Sequence, residues 1–327
     1  MRVLHLIGNG FDINLGLKTK YRDFYDYYIR VKSNNAKITQ LKEHLQQDIK
    51  GQYDYWSDLE IAMGEYTQNF STFEEMEIVY NDLNNNLRSY IQSIEQKNEI
   101  SIIDKNKLMD DLAHPEKYLT KRYENEIVNF ITSVGTNHRS TSIISFNYTK
   151  TIEKILDMKD KAINIKSSML ENDNMLYPII HIHGTSSEPL IGLNNKDQIK
   201  NEWLRNDENA QYFLLKPKIN ETLGYLRDEI SLNLIKNAHL ICLFGLSLGK
   251  TDKLWWEAIG ERLRSHNCKL IYFAHIPNEP IYPTTLHKHI ESKKNFLLSE
   301  TALSNDEHQS VRDQIYVAIN SNIFGIK

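Results

Sequence analysis

Five runs of mainly apolar residues stand out along the chain: Val3–Ile7, Thr141–Phe146, Tyr177–Ile182, Leu240–Phe244 and Leu270–Ala274. Each has strand length, and the apolar positions run on rather than alternating, as in strands buried on both faces of a parallel sheet. Between the first two runs the spacing changes. Tyr21, Phe24, Tyr25 and Tyr28 follow at i, i+3, i+4 and i+7, with Thr19 placed to cap the helix they predict. Leu59, Met63 and Tyr66, then Leu83, Leu87 and Ile91, continue the helical spacing. This predicts a helical insertion lobe over residues 20–130 within a single α/β domain spanning residues 1–327. Helices are also expected at Thr149–Met158, Leu226–Ile235 and Trp255–Leu263, while Gly192–Lys218 shows no clear period. Val311, Ile315 and Ile319 predict an amphipathic closing helix.

Charge and composition narrow the classes. The net charge of −4 and sequence pI of about 6.3 argue against nucleic-acid binding by bulk charge, though a local basic groove stays open. The two cysteines, Cys242 and Cys268, lie in or beside apolar runs, which predicts buried reduced thiols and a cytoplasmic protein. The first apolar run is too short for a secretory signal. No run reaches the roughly 18 residues of a membrane span.

The candidate chemistry lies at the ends of the runs, because open α/β sheets bind ligands outside the carboxyl ends of their strands. After Val3–Ile7 come Gly8, Asn9, Gly10, Phe11 and Asp12. Such a turn lets a ligand approach the main chain, and its N–H groups suit phosphate oxygens. Asp12 is placed to accept from a ribose hydroxyl. After Phe146 comes Asn147, which caps a helix or orients a reactant. After Ile182 come His183 and Gly184; His181, inside the run, reads as a satisfied structural histidine. After Phe244 comes the segment Gly245–Asp252, GLSLGKTD. Its glycines are one residue too close for a phosphate loop. It matches G-x-S-x-G, but no helix follows Ser247 directly as a nucleophile elbow requires, so a serine hydrolase is a minor alternative. Asp252 reads as the cap of the next helix. Trp56 and Glu60, one turn apart, read as a packing contact. Beyond His181 and His183 no Cys/His cluster has metal spacing, and no metal is expected.

The segments IGNGFD, GLKTKYRDF, FNYTKTIE, HIHG and FGLSLGKTD, in that order along nearly the whole chain, resemble the bacteriophage abortive-infection AbiH family. The resemblance implies an antiviral defence role. A second, more distant likeness is to sirtuin-like NAD-binding domains, through the order glycine turn, strand-Asn, His-Gly and Gly-x-Ser. It implies a Rossmann-like, mostly parallel sheet with a large helical insertion after the first strand. It puts Gly8 and Gly10 at the pyrophosphate, Asn147 and His183 at the nicotinamide ribose, and Gly245 and Ser247 at the adenosine side. With only two cysteines the four-cysteine zinc module of deacetylating sirtuins is absent, so NAD cleavage without a peptide substrate is the chemistry implied.

On this reading Asn147, His183 and Asp12 form the catalytic set. Gly8, Asn9, Gly10, Phe11, Gly184, Gly245, Ser247 and Asp252 bind the nucleotide. His183 serves as general base, Asn147 orients water or ribose, and Asp12 binds a hydroxyl or offsets developing charge. The expected function is an abortive-infection effector that binds and hydrolyses NAD. Two alternatives stay open: a nuclease or phosphodiesterase using Asp12, His183 and Asp252, and a nucleotide-binding sensor without turnover. A phage component or a second copy of the chain is the expected partner, with no membrane, and nucleic acid is not excluded.

Overall fold

The apolar runs form the central sheet of the structure, a computed structural model that describes residues 1–51, 58–97, 104–134, 138–165, 174–277 and 280–325. The strands are β1 (Arg2–Ile7), β2 (Arg139–Ser145), β3 (Ile163–Asn164), β4 (Asn174–Leu176), β5 (Ile180–His181), β6 (Gly184–Thr185), β7 (Glu188–Pro189), β8 (Leu240–Phe244), β9 (Lys269–Ala274) and β10 (Ile315–Ile319). The sheet runs β10-β9-β8-β1-β2-β4-β3, with β5 also paired to β2, and every pairing but β3–β4 is parallel. β6 and β7 form a separate hairpin.

Alternate β1 residues face opposite layers. Val3 and Ile7 join a core with Leu108, Leu112, Ile127 and Ile152 from the helices Lys105–Ala113, Lys121–Ser133 and Thr151–Leu156. Leu4 and Leu6 join Ile235, Trp256, Ile259 and Leu297 from Arg227–Asn237, Lys253–Arg264 and Pro283–Glu300. Burial on both faces is why these strands read as continuous apolar runs. His5, the polar exception, is buried with Nε2 at 3.0 Å from the Leu112 carbonyl. Burial pushes its pKa down to about 4, against the opposing pull of that contact. Cys242 and Cys268 are free buried thiols, and burial pushes Cys268 up to about 12.

Between β1 and β2 the described chain is helical: Gly10–Asn14, Tyr21–Tyr28, Ala36–Gly51, Leu59–Tyr66, Phe73–Lys97, Lys105–Ala113 and Lys121–Ser133, with two short 3-10 turns. Phe24, Tyr28, Leu41, Leu45, Leu59 and Met76 build a core of their own, which also takes in Ile191, Leu193 and Leu214 from the segment after β7. That segment, without period in the sequence, folds into the short helices Glu202–Asn206, Glu208–Leu214 and Lys216–Thr222. No helix among the described residues is long and apolar enough to cross a membrane.

Three expectations are corrected. The apolar run Ile315–Ile319 is an edge strand parallel to β9, not a closing helix. Positions four apart share a face in strand and helix alike, and the β-branched run between them favours the strand. The run Tyr177–Ile182 is split: β4 ends before it and only Ile180–His181 pair within it. Pro178 has no N–H to give the ladder. Thr19 is not the helix cap. Lys20 holds that position, and the Thr19 hydroxyl instead donates to the Asn9 side chain.

Candidate functional site

β1 lies between β2 and β8, with Ile7 opposite Ser145 on one side and Phe244 on the other, and Ser145 opposite His181 in β5. All four exits therefore leave the same edge of the sheet. From β1 the chain first builds outward through β2 to β4 and β5, then returns to β1's other side as β8. Loops that lead away in opposite directions from adjacent strands leave a crevice between them.

The glycines let two exits cross. The Gly8 and Gly10 amides donate to the carbonyls of Phe244 and Gly245, each at 2.9 Å. A Cβ on Gly10 would lie 2.4 Å from Gly245 Cα, and one on Gly8 2.6 Å from the Gly245 oxygen. Gly245 itself has φ +67°. The close approach here is of backbone to backbone, and the two amides expected at a phosphate are engaged within the fold. Asn9 is tied to Thr19, donating from Nδ2 to its carbonyl and accepting from its hydroxyl. Phe11 is a core residue, its ring fully buried with an edge contact to Phe324 at 5.7 Å. Gly184, at φ +75°, allows the β6–β7 hairpin.

On the β8 exit, Ser247 is exposed, and the left-handed residues are Gly245 and Leu248. A 3-10 turn separates the segment from the helix that begins at Lys253. A nucleophile elbow puts its serine on the sharp turn from strand to helix, and this segment does not. The Trp256 indole donates to the Gly249 carbonyl at 3.0 Å and anchors the loop.

The β2 exit connects everything else. The Phe146 ring stacks on Trp256 and meets the His183 ring edge-on, with centroids 5.7 and 5.5 Å away. The Asn147 carbonyl lies 2.9 Å from His181 Nδ1, whose Nε2 is 2.7 Å from Glu153 Oε1. His181 is thus the satisfied structural histidine its place in the strand suggests. Asn147 is itself buried, and its Oδ1 has no partner among the described residues. Tyr148 lies against His183 and its hydroxyl is 3.4 Å from that of Tyr21. Thr149 donates to Asp12 Oδ2 at 2.7 Å.

Burial raises the Asp12 carboxyl to about 6, although the bond from the Thr149 hydroxyl and the nearby Thr151 hydroxyl pull the other way. A carboxyl whose folded pKa lies above its unfolded value of 3.8 stabilises the fold most below that value, and the contribution is lost as pH rises through about 6. Asp12→Asn keeps an oxygen for Thr149. It is expected to gain on the order of 2 kcal/mol over wild type above pH 7 and little at pH 4. Urea denaturation at the two pH values measures this; an equal effect at both would show that Asp12 is not held in this way.

The second constellation is a series of three buried side chains that ends at the half-buried Asp252. His183 Nε2 lies 3.3 Å from Asp252 Oδ1, and His183 Nδ1 lies 2.8 Å from Lys216 Nζ. Lys216 Nζ is 2.7 Å from each carboxylate oxygen of Glu60. Burial pushes Glu60 up, with Lys216 and His183 opposing. Burial also pushes Asp252 up, but His183 and Lys216 outweigh it and hold that carboxyl below the ordinary aspartate value. Asp252 does occupy the helix cap position, yet its side chain makes no capping bond and turns to His183. Asp58, one residue before the Glu60 helix, caps that helix and accepts from Thr251 at 3.1 Å.

The exits therefore bring Asp12, Asn147, His183, Asp252 and Gly245 to one edge. Asp12 accepts from Thr149, and His183 lies between Asp252 and Lys216, at 3.3 and 2.8 Å. Glu60 and Lys216 are additions to the expected set, and the two form an ion pair. The packing contact expected between Glu60 and Trp56 falls on a residue outside the described ones. A concavity of about 420 Å³ lined by Lys18, Asp23, Asp26, Tyr27, Arg30 and Tyr90 includes none of the exit residues. Among the described residues no three His, Cys, Asp or Glu side chains are placed to hold a metal together.

A family model described as bacteriophage abortive infection AbiH matches residues 4–274, which include every strand exit described above. No curated protein matches the chain significantly.

Proposed function

This chain belongs to the AbiH family of bacteriophage abortive infection, which points to a role in phage defence, and on that premise we propose that it binds NAD at the strand exits and hydrolyses the nicotinamide–ribose bond. The observation that carries the reading is the convergence of Asp12, Asn147 and the His183–Asp252 pair beside the point where the strand order reverses. Counted in chain order with β4 and β5 as the third position, the parallel strands run third, second, first, fourth, fifth, sixth. That is the order of Rossmann-like dinucleotide-binding sheets. The likeness in motifs to sirtuin-like domains supports the same substrate.

The side chains fit the substrate in a particular way. NAD brings its own leaving group, so the protein has to position, desolvate and move one proton. The buried Asn147 Oδ1 lacks a partner, and a ribose hydroxyl or the attacking water would satisfy it. Asp12, raised to about 6, suits proton transfer near neutral pH better than an ordinary aspartate. His183, both nitrogens of which face protein groups, positions Asp252 rather than acting as a free base. The exposed Ser247 is the group available to the adenosine side. Gly8 and Gly10 contribute by letting the exits cross, and the pyrophosphate falls to groups other than their amides.

The test is incubation of purified protein with NAD, and separately with RNA and DNA, followed by product analysis. Nicotinamide and ADP-ribose are the expected products. Asn147→Ala is expected to lower turnover by about 100-fold with its melting curve unchanged. Cleavage of RNA or DNA with NAD untouched would replace this reading by the nuclease one, and NAD binding without products would leave a sensor.

A further inference from the structure

The series Glu60, Lys216, His183 and Asp252 has a direction. Side-chain exposure rises from 4 % at Glu60 and 7 % at Lys216 to 11 % at His183 and 15 % at Asp252. It starts in the interior beside a cavity of about 10 Å³ lined by Glu60 and ends at Asp252 on the β8 exit. A lysine ammonium has only hydrogens to offer, so His183 Nδ1, 2.8 Å from it, accepts. The imidazole proton then sits on Nε2 and faces Asp252. Lys216 spends its charge on Glu60, both of whose oxygens are 2.7 Å from Nζ. Asp252 is left facing an imidazole N–H at 3.3 Å. The outer end of the series is therefore a half-buried carboxylate with no lysine or arginine paired to it among the described residues. The Phe146 and Tyr148 rings stand beside it, 5.5 and 6.3 Å from the His183 ring.

We infer that Asp252 is the contact for a flat, positively charged ring of the ligand, with Lys216 and Glu60 as positioning residues that fix the His183 proton on Nε2 and so orient the carboxylate. Opposite charges attract strongly at a partly buried site, and aromatic rings favour a cation. A phosphate would be repelled there. The inference rests on the nucleotide reading above for its natural ligand, since the ring of oxidised NAD is cationic and that of the reduced form is neutral.

The experiment uses the full chain and probes that cannot be hydrolysed. Binding of the N-methylnicotinamide cation is compared with that of neutral nicotinamide by ligand-observed NMR, and ADP-ribose is titrated separately. The cation is expected to bind on the order of tenfold more tightly than the neutral ring. Asp252→Asn is expected to remove that preference, bringing the cation's affinity down to that of the neutral ring. Nitrogen-15 NMR of histidine-labelled protein at neutral pH is expected to show His183 protonated on Nε2 and bare on Nδ1, and Lys216→Met to lose this fixed tautomer. Equal binding of the two rings by wild type overturns the inference whether or not the variants fold, as does a proton on Nδ1. ADP-ribose binding without a preference for the cation would leave the nucleotide reading standing and this inference refuted. A preference for the cation without ADP-ribose binding would do the reverse.

Discussion

Gly245→Ala is expected to be among the most damaging single substitutions in the protein, costing on the order of 3 kcal/mol or more. Two penalties add. The new Cβ would stand 2.7 Å from Gly10 Cα and 2.9 Å from the Gly10 and Phe11 nitrogens, all backbone atoms that cannot rotate away. The residue must also hold φ +67°, a left-handed conformation that side chains resist. Gly16 separates the two penalties, because it has φ +77° with nothing within 4 Å of its would-be Cβ. Gly16→Ala should therefore show the conformational cost alone, about 1 kcal/mol. Urea denaturation of both variants makes the comparison. Equal losses would mean that the β1 and β8 exits do not cross in contact. By the same reasoning Gly10→Val unfolds the protein rather than removing ligand binding selectively, since its Cβ would meet Gly245 Cα at 2.4 Å.

Lys216→Met is expected to cost about 3–5 kcal/mol at neutral pH, because it leaves the Glu60 carboxylate buried without its cation. The pH dependence has a definite sign. Burial already places the folded pKa of Glu60 above its unfolded value of 4.5, and loss of Lys216 moves it further up. Such a group favours the fold below the unfolded pKa and ceases to do so as pH rises through the folded one. The variant should thus be closest to wild type in acid and furthest from it above neutrality. Glu60→Leu combined with Lys216→Met should recover most of the loss, since no charge is then stranded. Urea denaturation across pH measures all three proteins. A double variant no better than the single one would show that Glu60 and Lys216 do not act as a pair.

What the sequence determined by itself is local. A strand buried on both faces must be apolar throughout, so Leu240–Phe244 is readable with no knowledge of its neighbours. Glycines and polar residues directly after such runs mark exits, and Asp12, Asn147 and His183 are found that way. The family is legible for a related reason: four of its five motifs are these exits, and the matched span of residues 4–274 holds them all. Local patterns mislead where one spacing serves two structures. Val311, Ile315 and Ile319 suit a helix face, yet the free edge of β9 takes Ile315–Ile319 as a strand. The tertiary structure alone decided the rest. Glu60 and Lys216 are 156 residues apart, each on a helix with other charged residues, and nothing local marks either as buried. Gly8 and Gly10 suggest an approaching ligand, and the backbone that approaches is the loop at Gly245. A buried ion pair or a crossing of two loops is a relation between distant segments. Its energy comes from exclusion of water and from contact, neither of which exists until the chain has folded.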